Sequence, residues 1–303
     1  MVKAVGTYTG TERQMLLCVC ARPQVYRIRM AAYRIDPGCM VMVTETGEVY
    51  GEGFVTRARR RRFYKAIPHT KRKECFVMNP ITPAELAAYF DHTQLRAYAQ
   101  RKDFEKLCAE AREYGFAMVA INPAPVSLCK DLLAETSVHV GAAVGFPLGQ
   151  NTPKVKKYET VDAIANGADE IDYVINITQL KEKNYDFIEH EMAGIVEECR
   201  GAGVISKVIF ENCYLTEEEK RALCSIAREV RPDFIKTSTG FGTGGATFED
   251  VALMKKCVGD EVKIKAAGGI RTLDTALRMI ELGVSRIGST ASVSIVEELK
   301  HRL

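Results

Sequence analysis

Ile205-Ser206-Lys207-Val208-Ile209-Phe210-Glu211 leads, through a helical stretch at Thr216–Val230, to Phe234-Ile235-Lys236-Thr237-Ser238-Thr239-Gly240. A second helical stretch, Thr247–Val258, leads on to Lys263-Ile264-Lys265-Ala266-Ala267-Gly268-Gly269. The three runs are short and rich in β-branched residues, as buried strands are. Between them apolar residues recur at three- and four-residue steps, the period of an amphipathic helix. Strand and helix in repetition mean parallel strands joined by crossovers.

The same rhythm extends both ways from about Pro80. Further strands are predicted at Tyr89–Thr93, Ala117–Asn122, His139–Phe146, Glu170–Asn176 and Arg286–Thr290, and further helices at Asp103–Tyr114, Lys154–Asn166, Tyr185–Ala202, Thr272–Leu282 and Val293–Lys300. Thr216 with Glu219 spells a capping box, and Thr272 with Asp274 and Thr275 opens the next helix. Gly115, Gly167, Gly203 and Gly283 each follow a helical stretch, where a left-handed residue is wanted. Eight strands in this alternation fit a closed (β/α)8 TIM barrel over residues 78–303. An open doubly wound sheet more often has fewer strands and a Gly-rich first turn.

Residues 1–77 stand outside this rhythm, as a basic N-terminal extension. They hold 15 Lys and Arg against 6 Asp and Glu, whereas the remainder holds 27 against 33. Met15–Ala21 reads as a buried strand, and Tyr26–Met30 and Cys39–Thr44 are strand-like. The run Arg57-Ala58-Arg59-Arg60-Arg61-Arg62 suits an anionic surface or nucleic acid, but a disordered tail, or sequence outside the working protein ahead of Met78, is the plainer reading. No apolar run approaches the ~18 residues of a membrane-spanning helix. Ten scattered cysteines without C-x-x-C spacing suit reduced thiols in the cytoplasm, and five histidines form no metal-ligand pattern. No metal site is expected.

Lys207, Lys236 and Lys265 follow one another at intervals of 29 residues, one βα unit each, so they belong on adjacent barrel strands. A single strand-end lysine ordinarily reaches solvent. Three in succession within apolar runs are harder to explain so, because buried charge costs several kcal/mol without a partner. Asp91, Asp172 and Glu211 are available partners. A lysine beside a second cation is pushed toward its neutral form and becomes a nucleophile for carbonyls, the Schiff-base arrangement. The loops after the last two strands, Gly268-Gly269-Ile270 and Gly288-Ser289-Thr290 ahead of a helix, suit a phosphate held by backbone N–H groups. A sugar phosphate is therefore the expected small-molecule substrate.

Phe234–Gly240 resembles the signature of the deoxyribose-phosphate aldolases. Asp91-His92-Thr93-Gln94-Leu95, Val144-Gly145-Phe146-Pro147-Leu148-Gly149, Gly167-Ala168-Asp169-Glu170-Ile171-Asp172, Lys207–Glu211 and Lys265–Thr272 are similar to that family too, in its order. The resemblance implies reversible cleavage of 2-deoxy-D-ribose 5-phosphate to D-glyceraldehyde 3-phosphate and acetaldehyde, without metal or cofactor. It implies that Lys236 forms the imine, Lys265 lowers its pKa and Asp172 relays protons with Lys265. Asp91, Lys207, Thr239, Gly240, Gly268, Gly269, Gly288, Ser289 and Thr290 are the expected substrate-binding residues. A homodimer is expected, and neither membrane nor nucleic acid as a partner. The chain departs from the family at Ala120, where many members have cysteine, at Phe241, where some have a phosphate-binding lysine, and at its last residues, which lack a tyrosine that some members use. Another sugar-phosphate aldolase of the same chemistry, or a non-catalytic phosphate-binding barrel, are the rival readings.

Overall fold

The computed structural model describes residues 81–303 throughout and, ahead of them, only the backbone of two strands, Val2–Val5 and Glu12–Met15. The chain divides into two units, Met1–Ile81 and Thr82–Leu303. In the first, the two strands pair antiparallel, with Val2 opposite Met15 and Val5 opposite Glu12. Most of the Met15–Ala21 run, the strand-like pieces at Tyr26–Met30 and Cys39–Thr44, and the basic run Arg57–Arg62 lie outside the described residues.

In the second unit eight parallel strands close into a barrel. They are β1 (Phe90–Gln94), β2 (Met118–Ile121), β3 (His139–Val144), β4 (Glu170–Val174), β5 (Ile205–Ile209), β6 (Phe234–Lys236), β7 (Lys263–Ala267) and β8 (Arg286–Ser289). Each pairs with the next in sequence, and β8 returns to β1, with Gly288 opposite Asp91. This is the (β/α)8 barrel that the alternation predicts.

Helix starts are fixed by side chains that accept the first free N–H groups. Thr216 accepts from Glu219 N, completing the expected capping box, and Thr152, Thr247 and Thr272 cap three other helices in the same way. Gly115 and Gly203 end their helices in the left-handed conformation. Three short helices, Pro83–Ala87, Val126–Leu132 and Ile177–Lys181, escape the periodicity because five to seven residues barely complete one or two turns. The sixth strand is shorter than expected. It ends at Lys236, and Thr237–Gly240 leave the sheet as a loop.

Alternation along the strands separates two environments. Outward residues such as Val119, Val140, Ile171, Val208, Ile235, Ile264 and Ile287 are buried beneath the helices. Inward positions carry charge instead of the branched aliphatic layers usual in such barrels. Register sets their levels. Lys236 lies opposite Lys265, whereas Lys207 lies opposite Asp172 on one side and Phe234 on the other, one step lower.

One ion pair is sealed between barrel and helices. Lys156 Nζ donates to Glu191 Oε1 and to the Val174 carbonyl, both at 2.7 Å, and Glu191 Oε2 accepts from Asn176 N at 2.9 Å. Both residues are buried, and burial pushes the glutamate pKa up and the lysine pKa down, so each depends on the other to stay charged. Removing one partner of such a pair costs roughly 3–5 kcal/mol. Glu191→Ala is expected to lower the unfolding free energy by about that much, read from the midpoint of urea denaturation; an unchanged midpoint would show that the pair contributes nothing.

Candidate active site

Asp172 is the hub of the inward charges. Its Oδ2 accepts from Lys236 Nζ at 2.8 Å and from Lys265 Nζ at 2.6 Å, and its Oδ1 accepts from Lys207 Nζ at 2.8 Å. Two of these lysines are tied further down the barrel. Lys207 pairs with Glu170, and Lys265 lies 2.5 Å from Asp91 Oδ2, an ion contact off the hydrogen-bond direction. Arg286, at the start of β8, spans those two acids, meeting Asp91 with one amino group and Glu170 with the other at 2.5 Å. Half-buried His139 reaches the same Glu170 oxygen at 2.7 Å.

The three lysines share the hub but not a common fate. Burial pushes the Lys236 amine down; Asp172 opposes this, Lys265 adds to it, and the result is a pKa of about 8. Lys207 is desolvated too, but the carboxylates of Asp172 and Glu170 outweigh that and hold it above the usual lysine range. Burial works to raise the Asp172 carboxyl, yet the three ammonium groups hold it well below the usual carboxylate range. At pH 7 a lysine of pKa 8 is free amine in about one molecule in ten, against about one in 2,500 for an ordinary lysine. Sequence reasoning assigns the depression first to Lys265. In the folded barrel burial is the larger cause and Lys265 the smaller.

Above Lys236 and Lys265 opens a cavity of about 450 Å³, lined also by Thr239, Gly240, Gly268, Gly269, Gly288, Ser289 and Thr290. Nine of the predicted site residues thus line one cavity. Consecutive positive φ angles of 84° and 78° at Gly268 and Gly269 turn the chain sharply at the end of β7. Gly288 serves by its missing side chain: a Cβ there would stand 3.0 Å from Ala267 Cβ and 3.3 Å from Lys265 Cε. Ser289 Oγ donates to the Ile270 carbonyl at 2.8 Å and accepts from Ala291 N at 2.9 Å, which bolts the two loops together. Thr239 is held by Glu211, which accepts from its N–H at 3.1 Å and from its hydroxyl. Arg96, Lys106 and Arg271 line the same cavity and supply positive charge.

Asp91 and Lys207 are placed differently from their expected substrate-binding role. Both are fully buried beneath the cavity with their polar ends committed to ion pairs, so they support the lysines above rather than offer groups to a ligand. Sequence reasoning missed Arg286 altogether and quoted Glu170 without a role. The available signal was the pairing of a basic residue at the start of the eighth strand with an acid two residues before Asp172, at the same inward parity. Phe241, flagged for its departure from the family, lines the mouth and packs edge-on against Phe146 at 5.4 Å.

Comparison with known proteins agrees with this architecture. Residues 86–289 match the DeoC/LacD family aldolases, and the chain belongs to that family. The chain is 54% identical to the deoxyribose-phosphate aldolase of Bacteroides thetaiotaomicron over 224 residues, 74% of this chain and 94% of that one. Against the enzyme of the same name from Lactobacillus acidophilus identity is 56% over 219 residues, 72% and 92% of the two chains. Among solved structures, the tetrameric deoxyribose phosphate aldolase of Aeropyrum pernix superimposes with a TM-score of 0.68 at 29% identity, covering 73% of this chain and 94% of its own. Residues 1–51 match a separate family, an uncharacterized protein conserved in bacteria (DUF2179).

Removing Lys265 should act on Lys236 in one direction. Its charge no longer opposes protonation, and Asp172 Oδ2 is left to Lys236 alone; both raise the amine's pKa from about 8. Lys265→Leu is therefore expected to lose most activity at pH 7 and to show a residual pH profile moved alkaline by about a unit or more. A normal rate with an unmoved profile would refute the coupling.

Proposed function

We propose that this aldolase is of the class I, Schiff-base kind and reversibly cleaves 2-deoxy-D-ribose 5-phosphate to D-glyceraldehyde 3-phosphate and acetaldehyde. The observation that carries the reading is Lys236, a buried lysine of pKa about 8 on the floor of a cavity whose opposite loops suit a phosphate. Names of relatives at 54% and 56% identity support the substrate.

The chemistry follows from the positions. The open-chain aldehyde enters with its phosphate toward Gly268, Gly269, Gly288, Ser289 and Thr290, where backbone N–H groups and the helix beginning at Ser292 favour an anion. Neutral Lys236 Nζ adds to the C1 carbonyl; proton transfer and loss of water leave a protonated imine. The C3 hydroxyl gives up its proton, the C2–C3 bond breaks, and its electron pair moves into the imine to form a neutral enamine. The phosphorylated aldehyde leaves. Protonation at C2 and hydrolysis then release acetaldehyde and the amine. Asp172 and Lys265, 2.6 Å apart, are the proton-relay pair beside the reacting carbons.

Acetaldehyde with borohydride is expected to inactivate the enzyme and leave one reduced two-carbon group, on Lys236. Peptide mapping that places the adduct solely on another lysine would remove the assignment. Asp172→Asn should slow turnover while leaving the adduct trappable, because removing the carboxylate takes away what holds the proton on Lys236.

The working unit in this reading is residues 78–303, since every proposed site residue lies there, and the protein is read as a cytoplasmic homodimer. A chain beginning at Met78 should retain full activity and elute as a dimer by light scattering. Loss of activity in the truncated chain, with the full chain active, would make residues 1–77 part of the enzyme.

A further inference from the structure

Beneath the cavity the ion contacts close on themselves. Arg286 meets Asp91, Asp91 meets Lys265, Lys265 meets Asp172, Asp172 meets Lys207, Lys207 meets Glu170, and Glu170 returns to Arg286. Six side chains from β1, β4, β5, β7 and β8 thus form a ring of strictly alternating sign, neutral as a whole. Lys236 stands outside it, attached through one shared oxygen of Asp172. We propose that Arg286 is a positioning residue of the aldolase reaction: by closing this ring it leaves Lys236 as the cation in excess, the group from which a proton is most easily lost.

What decides is charge count in a place largely closed to water, with Arg286, the most exposed member of the ring, keeping 11% of its side chain exposed. Asp91, Glu170, Lys207 and Lys265 are fully buried, and Asp172 and Lys236 nearly so. Each carboxylate of the ring already lies between two cations, so a proton on Lys236 gives the buried group one positive charge too many. Without Arg286 the count changes sign: a protonated Lys236 would then complete neutrality, and the same carboxylates would hold its proton. The guanidinium suits the task because its planar fork reaches two carboxylates at once, which a lysine ammonium on that strand cannot match in geometry.

Among the described residues, no acid besides Asp91 and Glu170 is in ion-pair contact with Arg286. β1 presents Asp91, β4 presents Glu170 and Asp172, β5 presents Lys207, and β7 presents Lys265, opposite Arg286 in register. β6 offers the Phe234 ring, 5.9 Å from the guanidinium and approached also by exposed Lys263, with Lys236 beyond it. β3 contributes His139, bonded to Glu170, and β2 the uncharged Met118, which contacts Lys207. His139 is raised by its bond to Glu170, so it too enters the count when protonated, and the profiles are compared in a His139→Gln background as well, where that charge drops out.

This inference rests on the reading of Lys236 as the imine-forming residue, and the test separates the two. The measurement is kcat/KM for cleavage of 2-deoxyribose 5-phosphate against pH, which reports ionisation in the free enzyme, with the borohydride adduct mapped in each variant. Arg286→Met is expected to move the rising limb alkaline by about a unit, a loss of about tenfold at pH 7 that recovers in alkali. Glu170→Gln should move it the other way, and Arg286→Met combined with Glu170→Gln should bring it back toward wild type. Arg286→Lys keeps the count and should leave the limb in place even where kcat falls. A limb that stays put in Arg286→Met, or that shifts as far in Arg286→Lys, overturns the proposal. If Arg286→Met does not fold, Glu170→Gln and the double variant decide, since a purely structural ring predicts lower rates at an unmoved limb for both. An adduct found away from Lys236 in the wild type would instead overturn the underlying reading.

Discussion

Charge placed where water does not reach must be balanced by other charge, and the rest of this barrel is arranged around that constraint. Asp172 makes the balance possible, with three lysines from three successive strands converging on its two oxygens. Any of these ammonium groups alone would be expensive to bury. Together with Asp91, Glu170 and Arg286 they form a lattice in which every member has a partner of opposite sign. Such lattices are seldom the most stable way to fill a core, since well-packed aliphatic side chains often do as well or better. What an aliphatic core lacks is a lysine that is both buried and ready to lose its proton.

The structure meets that requirement by position along the strands. Lys207 and Lys236 are both inward and both touch Asp172, yet Lys207 is held above the ordinary lysine range and Lys236 well below it. The difference is one step of register. Lys207 lies opposite Asp172 itself and has Glu170 as a second acid, whereas Lys236 lies opposite Lys265 and shares with it the single oxygen Oδ2. The upper lysine also borders the cavity, so an amine that loses its proton readily stands where a carbonyl can meet it.

How far a sequence discloses such a site depends on which facts are local. The 29-residue spacing of the lysines is a strong signal, because each interval is one βα unit and puts the lysines on adjacent strands, although Lys207 sits one step below the other two. Gly268, Gly269, Gly288 and Ser289 were legible for a similar reason, as turns at the ends of the last two strands. The short helices Val126–Leu132 and Ile177–Lys181 were hidden because they are too brief to show a period. Arg286 was hidden because its meaning lies in partners 116 and 195 residues away in sequence. The same dependence on level explains why Asp91 and Lys207 were expected to line the site and lie beneath the cavity instead. Parity tells which face a residue takes, but only the stagger of neighbouring strands tells how deep it sits.

On the proposed reading, the excess charge that frees the Lys236 amine bears on later steps as well. A protonated imine carries the same positive charge as the ammonium, in the same place. An environment that disfavours one disfavours the other, which raises the electron demand of the imine once it has formed. Relief comes when the C2–C3 electron pair enters the imine and leaves a neutral enamine, so the charge that disfavours the ground state is removed by the bond-breaking step itself. The substrate's phosphate answers the opposite risk, that the imine would be too costly to form at all. Arg96, Lys106 and Arg271 line the cavity alongside Lys236, with Asp103 and Glu110, and a bound dianion brings further negative charge toward the lysine. On this view the phosphate does more than anchor the substrate. It lowers the electrostatic cost of the first covalent intermediate, leaving enough of that cost in place to favour the cleavage that follows.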